Sequence, residues 1–504
     1  MTKKAAFLLF SFTALRLLLA FVWPAGIDEA YAISISPDWS LSYFDHPPAV
    51  FTIAGLAHLA SGSNSASILR IPFVLLGTAS AWLIYDITRR AYDSSAAFWA
   101  MAWYSIAPFF LISAGLFVVP DGPLNFGLLA TLWILLPGIL EPKYKLEPFR
   151  YGAAGIFLAI SLASKYQAVA FLASIGIFTL LNKKNRAWLH SPAIFTTIII
   201  GLAGLIPVLI WNGSHDWISF GFQSGRAGNA GLQLFPLNFL KILVGQMAYL
   251  LPGTWIVAMA CSLKGVSKAK SPADSLFSWL TIVLPVAFLL IALVSERSLP
   301  HWSMGGFLFG FPLVGQWTSR QTQTHLIIIK KVWASAALLL SIAAIGVGLQ
   351  FKDAIFTRAI FKEPPSIDRN WQLQDWGSLP KLWNDFGKPA NIVTRSWMVG
   401  AKAGYTLGPS AKILPLNDPR HYQFMAAPNQ SGYLAIEPID PRINDKEAIK
   451  AFSDLLASNG WVPQGEPAIV VQRSQNYSRF KIIGIGVRRA AGSQGQGAGL
   501  NRNG

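Results

Sequence analysis

The 504-residue chain is 53% hydrophobic and only 13% charged, which excludes an ordinary soluble globular protein and directs attention to membrane spans. A single cysteine, Cys261, excludes disulfides and a cysteine-based metal cluster within the chain. The formal charge of +17 raises nucleic acid as a partner, but the basic residues lie in short clusters between apolar runs rather than on one soluble face, which excludes that reading and fits the positive-inside rule, with attraction to anionic lipid as a second effect.

Lys3 and Lys4 lead an apolar run that ends at Trp23. It is too long for a signal-peptide core, and cleavage at Ala30-Tyr31-Ala32 would remove the acid pair Asp28-Glu29, so a first span with a cytoplasmic N-terminus is predicted. Arg16 lies inside this span, where a charge facing lipid costs roughly 2.5 to 3.5 kcal/mol, so it is expected to face the bundle or to snorkel. Residues 24–67 read as a long outer loop, and its stretch from Ala49 to Ala60 is too short to span and is expected to lie along the membrane. Further spans are predicted at about 68–88, 95–118, 123–140, 151–163, 167–181, 193–211, 240–261, 276–294, 303–317 and 332–350, about eleven in all.

The charges agree with that count. Arg89 and Arg90, then Lys143, Lys145 and Arg150, then Lys183, Lys184 and Arg186, then Lys264, Lys268 and Lys270, then Arg320, Lys330 and Lys331 all fall on the side of the N-terminus. Asp28, Glu29, Asp38, Asp45, Asp121, Asp216 and Glu296 fall on the other, outer face. An odd number of spans sends the remainder of the chain to that face as well. There, short strand-like runs at Asn391 to Thr394, Lys412 to Leu416, Tyr433 to Ile436 and Ala468 to Val471 alternate with a helical stretch near Asp445 to Ala457. The expected organisation is a transmembrane domain over 1–350, a small α/β periplasmic domain over 351–488, and a disordered tail rich in Gly, Ser, Gln and Asn over 489–504.

The chain has no phosphate loop, GxGxxG, HExxH or GxSxG. An enzyme whose activated substrate is dissolved in the membrane needs none of these. Asp28 and Glu29 follow the first span after a short turn and are placed at the membrane surface, where a partly desolvated carboxylate can serve as a general base; a helix N-terminal acid pair is the structural alternative. Asp121 stands between two prolines in Val119-Pro120-Asp121-Gly122-Pro123, fixed at the start of a span or acting as its cap. Lys165-Tyr166 occupies a tight outer turn, facing the bundle or snorkelling. The loop Trp211 to Arg226 adds Asn212, His215, Asp216, Gln223 and Arg226 to its aromatics, more than an interfacial aromatic belt requires. With Arg297 and His301-Trp302 at the next outer turn, these cations can hold an anionic head group.

The run DEAYAISISPDWSLSYFDHPP, the VPDGPL turn, the SKYQA turn and the IPVLIWNGSHDWISFGFQSGR loop, taken in order, resemble the bacterial PMT-type, GT-C fold glycosyltransferases. That group includes protein O-mannosyltransferases, the aminoarabinose transferase acting on lipid A and galacturonosyltransferases acting on lipopolysaccharide. The resemblance spans about residues 5–310 and implies a GT-C-like polytopic α-helical membrane protein of the inner membrane with its site facing the periplasm. It implies Asp28 as the base, with Glu29 beside it, and it carries the family's Asp-His-Pro-Pro element onto Asp45 to Pro48 and the second-loop acid onto Asp121. Lys165 is implied as the ligand of the donor phosphate. The stretch Leu416 to Met425 is only loosely similar to family members, so acceptor recognition is left open.

The expected reaction moves a sugar from a polyprenyl phosphate to a glycolipid or protein acceptor with inversion. Asp28 takes the acceptor proton, Glu29 and Asp121 orient Asp28 and the sugar, and Lys165, Arg226, Arg297 and His301 offset the charge of the departing phosphate. Tyr31, Asp45, His46, Tyr166, Asn212 and His215 complete the expected substrate-binding set. No cofactor or metal site is expected, while a divalent cation between the acids stays open. A transporter or flippase for a lipid-linked sugar is the alternative; it requires charges along a path through several spans and repeat symmetry, whereas the spans read as clean apart from Arg16 and no internal repeat is visible.

Overall fold

A computed structural model describes all residues except 142–145, 182–185, 187–191, 228–232, 362–364, 366–369, 426–431, 476 and 491–504. The expected tail therefore lies outside the described residues, apart from Arg489 and Ala490. The chain divides into two compact units, Met1–Phe21 with Ser40–Ala57 and Ser67–Ala344, and Val22–Trp39 with His58–Ala66 and Ile345–Gly504.

The first unit is helical. Helix α1 (Lys3–Val22) opens the chain, and six helices among the described residues are long and apolar enough to cross a membrane, or up to eight if each of two bent pairs is one span. About eleven were expected, and the difference has local causes. The stretch expected at 95–118 is Ser94–Ile106 followed by Phe109–Leu116 at an angle of 83°, broken at Ala107-Pro108. The stretch expected at 240–261 is Pro236–Leu250 followed by Pro252–Lys268 at 105°, where Leu251 adopts a positive φ of 69° ahead of a proline. Pro148–Leu162 and Tyr166–Leu181 are apolar but short, and 303–317 is divided among Pro300–Ser303, Met304–Phe307 and Gly310–Ser319. A hydropathy window averages across such breaks and does not see them. Helix α3 (Ala49–Ser61) occupies the stretch expected to lie along the interface.

Buried apolar side chains from most of these helices form one core, among them Phe12, Trp99, Phe110, Leu128, Phe171, Phe277 and Phe311. Arg16 turns into it and is fully buried, donating from Nη2 to the Phe110 carbonyl at 3.3 Å. Gly115 leaves room for it, since a Cβ there would meet Arg16 Nε at 2.7 Å. Arg16 is not the sole charge in the apolar helices. Arg70, also fully buried, donates to the Ala20 carbonyl at 2.9 Å, and Asp86 in Ile71–Ala91 pairs with Arg89 and Arg90, each at 2.7 Å, and accepts from Trp133 Nε1 at 2.8 Å. The expectation of otherwise clean spans is corrected accordingly: both groups sit near helix ends and have partners, which lowers the cost of their burial.

In the second unit a five-stranded sheet runs in the order β2-β1-β3-β5-β4, from β1 (Asn391–Ser396), β2 (Lys412–Asn417), β3 (Tyr433–Ile439), β4 (Trp461–Ser474) and β5 (Tyr477–Arg489). β1 pairs in parallel with β2 and β3, while β5 runs antiparallel to β3 and β4. The four expected strand runs fall in β1 to β4, and the expected helix is Asp445–Ser458, capped by Asn444 Oδ1 accepting from the amides of Lys446 and Glu447. Val393, Ala435, Phe452, Leu456 and Ile483 form its core. Helix α2 (Ile27–Ile35) packs against helix Trp397–Leu407, where Gly404 permits the approach: a Cβ there would meet Ser34 Cβ at 2.9 Å.

Candidate active site

In the first unit the site begins with Asp121. Pro120 precedes it, and the carboxylate does not cap its own helix, Asp121–Leu140, as the structural alternative had it. It is turned instead to Lys165. That residue stands in extended conformation (φ −151°, ψ 139°) in the break between two short helices, which frees its side chain from both. Lys165 Nζ donates to both Asp121 oxygens, at 2.8 and 2.9 Å, and the two residues are only 5% and 6% exposed. A pair this dry is held together by strong attraction, and loss of either member strands the other.

Further groups stand around it. His301, in the turn Pro300–Ser303, senses the charges of Lys165, Asp121 and Arg226. Burial, with the repulsion of Lys165 and Arg226 added, pushes its imidazolium down to about 4, although Asp121 acts the other way. His301 is thus neutral near pH 7 in the free protein and offers a hydrogen bond rather than the positive charge expected of it. Tyr249 lies within reach of the Asp121 charge. Arg226 stacks over Phe222 at 4.6 Å and over Trp302 at 5.7 Å, and exposed Arg297 donates to the Gly225 carbonyl at 3.4 Å.

The first-loop element joins the same unit. Gln223 Nε2 donates to the Asp45 carbonyl at 2.6 Å, Phe44 packs on Phe222 with centroids 4.5 Å apart, and His46 Nε2 lies 3.7 Å from Asp45 Oδ2. Tyr166 and Ser219 share a hydroxyl hydrogen bond at 3.1 Å. Asn212 is fully buried with its amide committed to the backbone, donating to the Val208 carbonyl at 3.0 Å and accepting from the Ser219 amide at 3.2 Å, so it ties helix Ile206–Gly213 to helix Ile218–Ala227. His215 stacks on Trp211 at 4.1 Å and bonds the Trp211 carbonyl at 2.7 Å through Nδ1.

In the second unit Asp28 and Glu29 occupy the first turn of α2, where the helix dipole favours both carboxylates. Asp28 is exposed and Glu29 is buried at 2% exposure, so the expected partial desolvation falls on Glu29 instead of the expected base. Tyr31 is packed inside the unit, edge-on to Trp397, His421 and Tyr422, with its hydroxyl donating to the His421 carbonyl at 3.4 Å. The fully buried Lys402 donates to the Ala25 carbonyl at 2.6 Å and secures the approach to α2.

The structure thus gathers Asp121, Lys165, Arg226 and His301 in one unit and sets Asp28, Glu29 and Tyr31 in the other. Sequence reasoning missed Tyr249, which lies near the end of an apolar helix without any local signal, and Lys402, whose helix Trp397–Leu407 was itself not read from the sequence. Among the described residues no group of three or more His, Cys, Asp or Glu could hold a metal ion.

Residues 45–211 match the family model described as dolichyl-phosphate-mannose-protein mannosyltransferase. No curated protein sequence matches the chain. Among solved structures it is similar to ArnT from Cupriavidus metallidurans in the apo state, at 14% identity over 94% of this chain and 97% of that one, with a TM-score of 0.60. It is similar also to the same protein bound to undecaprenyl phosphate, at 16% identity, 94% and 97% coverage and a TM-score of 0.61. The family model covers about a third of the chain, mostly within its helical unit, and the likeness to the two solved structures is one of fold.

Proposed function

We propose that the protein transfers a sugar from a polyprenyl-phosphate donor to an envelope glycolipid, lipid A or lipopolysaccharide core, or to a protein acceptor, at the periplasmic face of a bacterial inner membrane. The observation that carries this reading is the Asp121–Lys165 pair, withdrawn from solvent beside Arg226 and His301. Lys165 and Arg226 exceed Asp121 by one positive charge, which suits a singly charged phosphodiester. When the bond to the sugar breaks, the phosphate gains a second negative charge, and fixed cations then stabilise the transition state more than the bound donor. The likeness in fold to a protein solved with undecaprenyl phosphate supports this donor class.

In the proposed step the acceptor oxygen attacks the anomeric carbon in line, the carbon–oxygen bond to phosphate breaks with its electron pair going to the phosphate, and configuration inverts. For a hydroxyl acceptor, Asp28 takes the proton. Asp28 lies exposed in the first turn of α2, and Glu29 is buried beside it. Asp121 sets the position of Lys165, and Arg297 steadies the Arg226 segment. Asp45, His46, Tyr166 and His215 border the substrate, while Asn212 and Tyr31 hold the backbone that carries the others. The step as written needs neither nucleotide nor other cofactor.

Transfer by the purified full chain in detergent tests the reading. Asp28→Asn is expected to lower turnover about 10²- to 10⁴-fold with folding intact, and Lys165→Ala to weaken binding of the lipid donor. Near wild-type turnover in Asp28→Asn removes it as the base, and unchanged donor affinity in Lys165→Ala removes that residue from the phosphate site.

A further inference from the structure

A cavity of about 260 Å³ lies wholly within the second unit, between the end of α2 with the turn that follows it and the edge strand β2. None of its lining residues belongs to the machinery described above. Asp38 and Lys412 face it as an ion pair at 3.3 Å, with side chains 30% and 25% exposed, so each still meets solvent. Ser34 Oγ donates to the Tyr31 carbonyl at 2.9 Å and shares a 3.2 Å hydrogen bond with the Tyr422 hydroxyl, and the exposed Gln423 contributes an amide. Ile413 and its neighbours supply apolar wall.

The chemistry of this lining selects its ligand. One carboxylate beside one ammonium leaves no net charge, so neither an anion nor a cation gains from entering. Carboxylate, ammonium and amide, with two hydroxyl oxygens beside them, donate and accept at several closely spaced points, which matches a ring carrying several hydroxyl groups. The apolar wall suits the C–H face of such a ring. The volume is below the roughly 300–1,000 Å³ of pockets for drug-sized ligands and accommodates a single ring.

We propose that this cavity binds one uncharged sugar ring of the acceptor, holding it through Asp38, Lys412 and Gln423 against the β2 edge. The assignment of that ring to the acceptor rests on the transferase reading given above; the binding of a sugar ring does not.

Two measurements on the full chain, in a detergent without a sugar head group, separate these. Saturation-transfer NMR with free glucose, galactose, mannose and N-acetylglucosamine at millimolar concentration is expected to show transfer to the ring protons of at least one of them. Asp38→Asn and the surface change Gln423→Leu are each expected to reduce it about tenfold, the loss of one good hydrogen bond to a charged or amide partner, with an unchanged melting temperature. No transfer from any sugar, equal transfer in the correctly folded Gln423→Leu variant, or competition by a short Ser/Thr peptide in place of sugars overturns the proposal. In the glycosyl-transfer assay both variants are expected to raise KM for the acceptor about tenfold with kcat and the donor KM unchanged. A wild-type protein that binds sugar but transfers none removes the transferase reading and keeps the cavity, whereas active variants with unaltered acceptor KM remove the acceptor assignment and keep the transferase.

Discussion

At the scale of single residues, the pairing of Asp121 with Lys165 revises the roles each had from the sequence. Both stood out there as charges fixed in outer turns, yet nothing local shows that they meet across 44 residues. Because both are dry, Asp121→Asn leaves a buried ammonium without its counter-charge and is expected to cost about 3–5 kcal/mol, read as a lower melting temperature in detergent, with Asp121→Asn/Lys165→Met recovering much of the loss. A second buried carboxylate, Glu437, makes a pH prediction. Burial raises it to about 7 from an ordinary 4.5, outweighing Arg395, whose Nε lies 2.9 Å away but whose side chain is nearly half exposed. A folded-state value above the unfolded one means that the folded chain holds the extra proton between the two, so stability is full below about 4.5 and is lost as pH rises through about 7. Glu437→Gln is expected to be neutral at pH 4 and to stabilise by up to about 3 kcal/mol at pH 8, measured by denaturation across that range.

At the scale of elements, alternation and helical periodicity make β1 to β4 and helix Asp445–Ser458 readable in the sequence, while β5 is not. Its Gly484 and Gly486 weaken strand propensity, and the reason for the first is tertiary: a Cβ at Gly484 would meet the Leu382 side chain at 2.9 Å. Helix Trp397–Leu407 was likewise missed, since Gly400 and Gly404 depress its helical signal where they admit Ile413 and Ser34. Overpacking that contact with Gly404→Val is expected to cost about 1–3 kcal/mol and to push α2 away from its partner helix. A fall in melting temperature accompanied by weakened transfer would follow from moving the helix that carries Asp28 and Glu29; a fully stable variant would show that the approach is not required.

For the whole molecule, the distribution of charge is the feature most legible in the sequence. The basic clusters alternate with acidic loops over the entire helical part, although several of the lysines concerned lie outside the described residues. If that parity sets orientation, Ser458 in the second unit and Ser267 at the end of helix Pro252–Lys268 face opposite compartments. In a Cys261→Ser background, Ser458→Cys is expected to react with a membrane-impermeant maleimide in intact spheroplasts, and Ser267→Cys only after permeabilisation. Equal labelling of both before permeabilisation would refute the assigned topology.

The sequence by itself determined the membrane class, the alternation of charge, the strand-and-helix pattern of the C-terminal stretch and the ordered motifs that resemble PMT-type GT-C transferases. These are sums over neighbouring residues, and hydropathy and periodicity need no knowledge of the distant chain. Only the tertiary structure decided that Arg16 turns inward to Phe110, that Asp121 holds Lys165, that two expected spans are bent helix pairs, and that Asp38 and Lys412 line a cavity. The physical reason is that the energy of a charge depends on its partners and on how much water surrounds it, and both are set by segments far away in the chain.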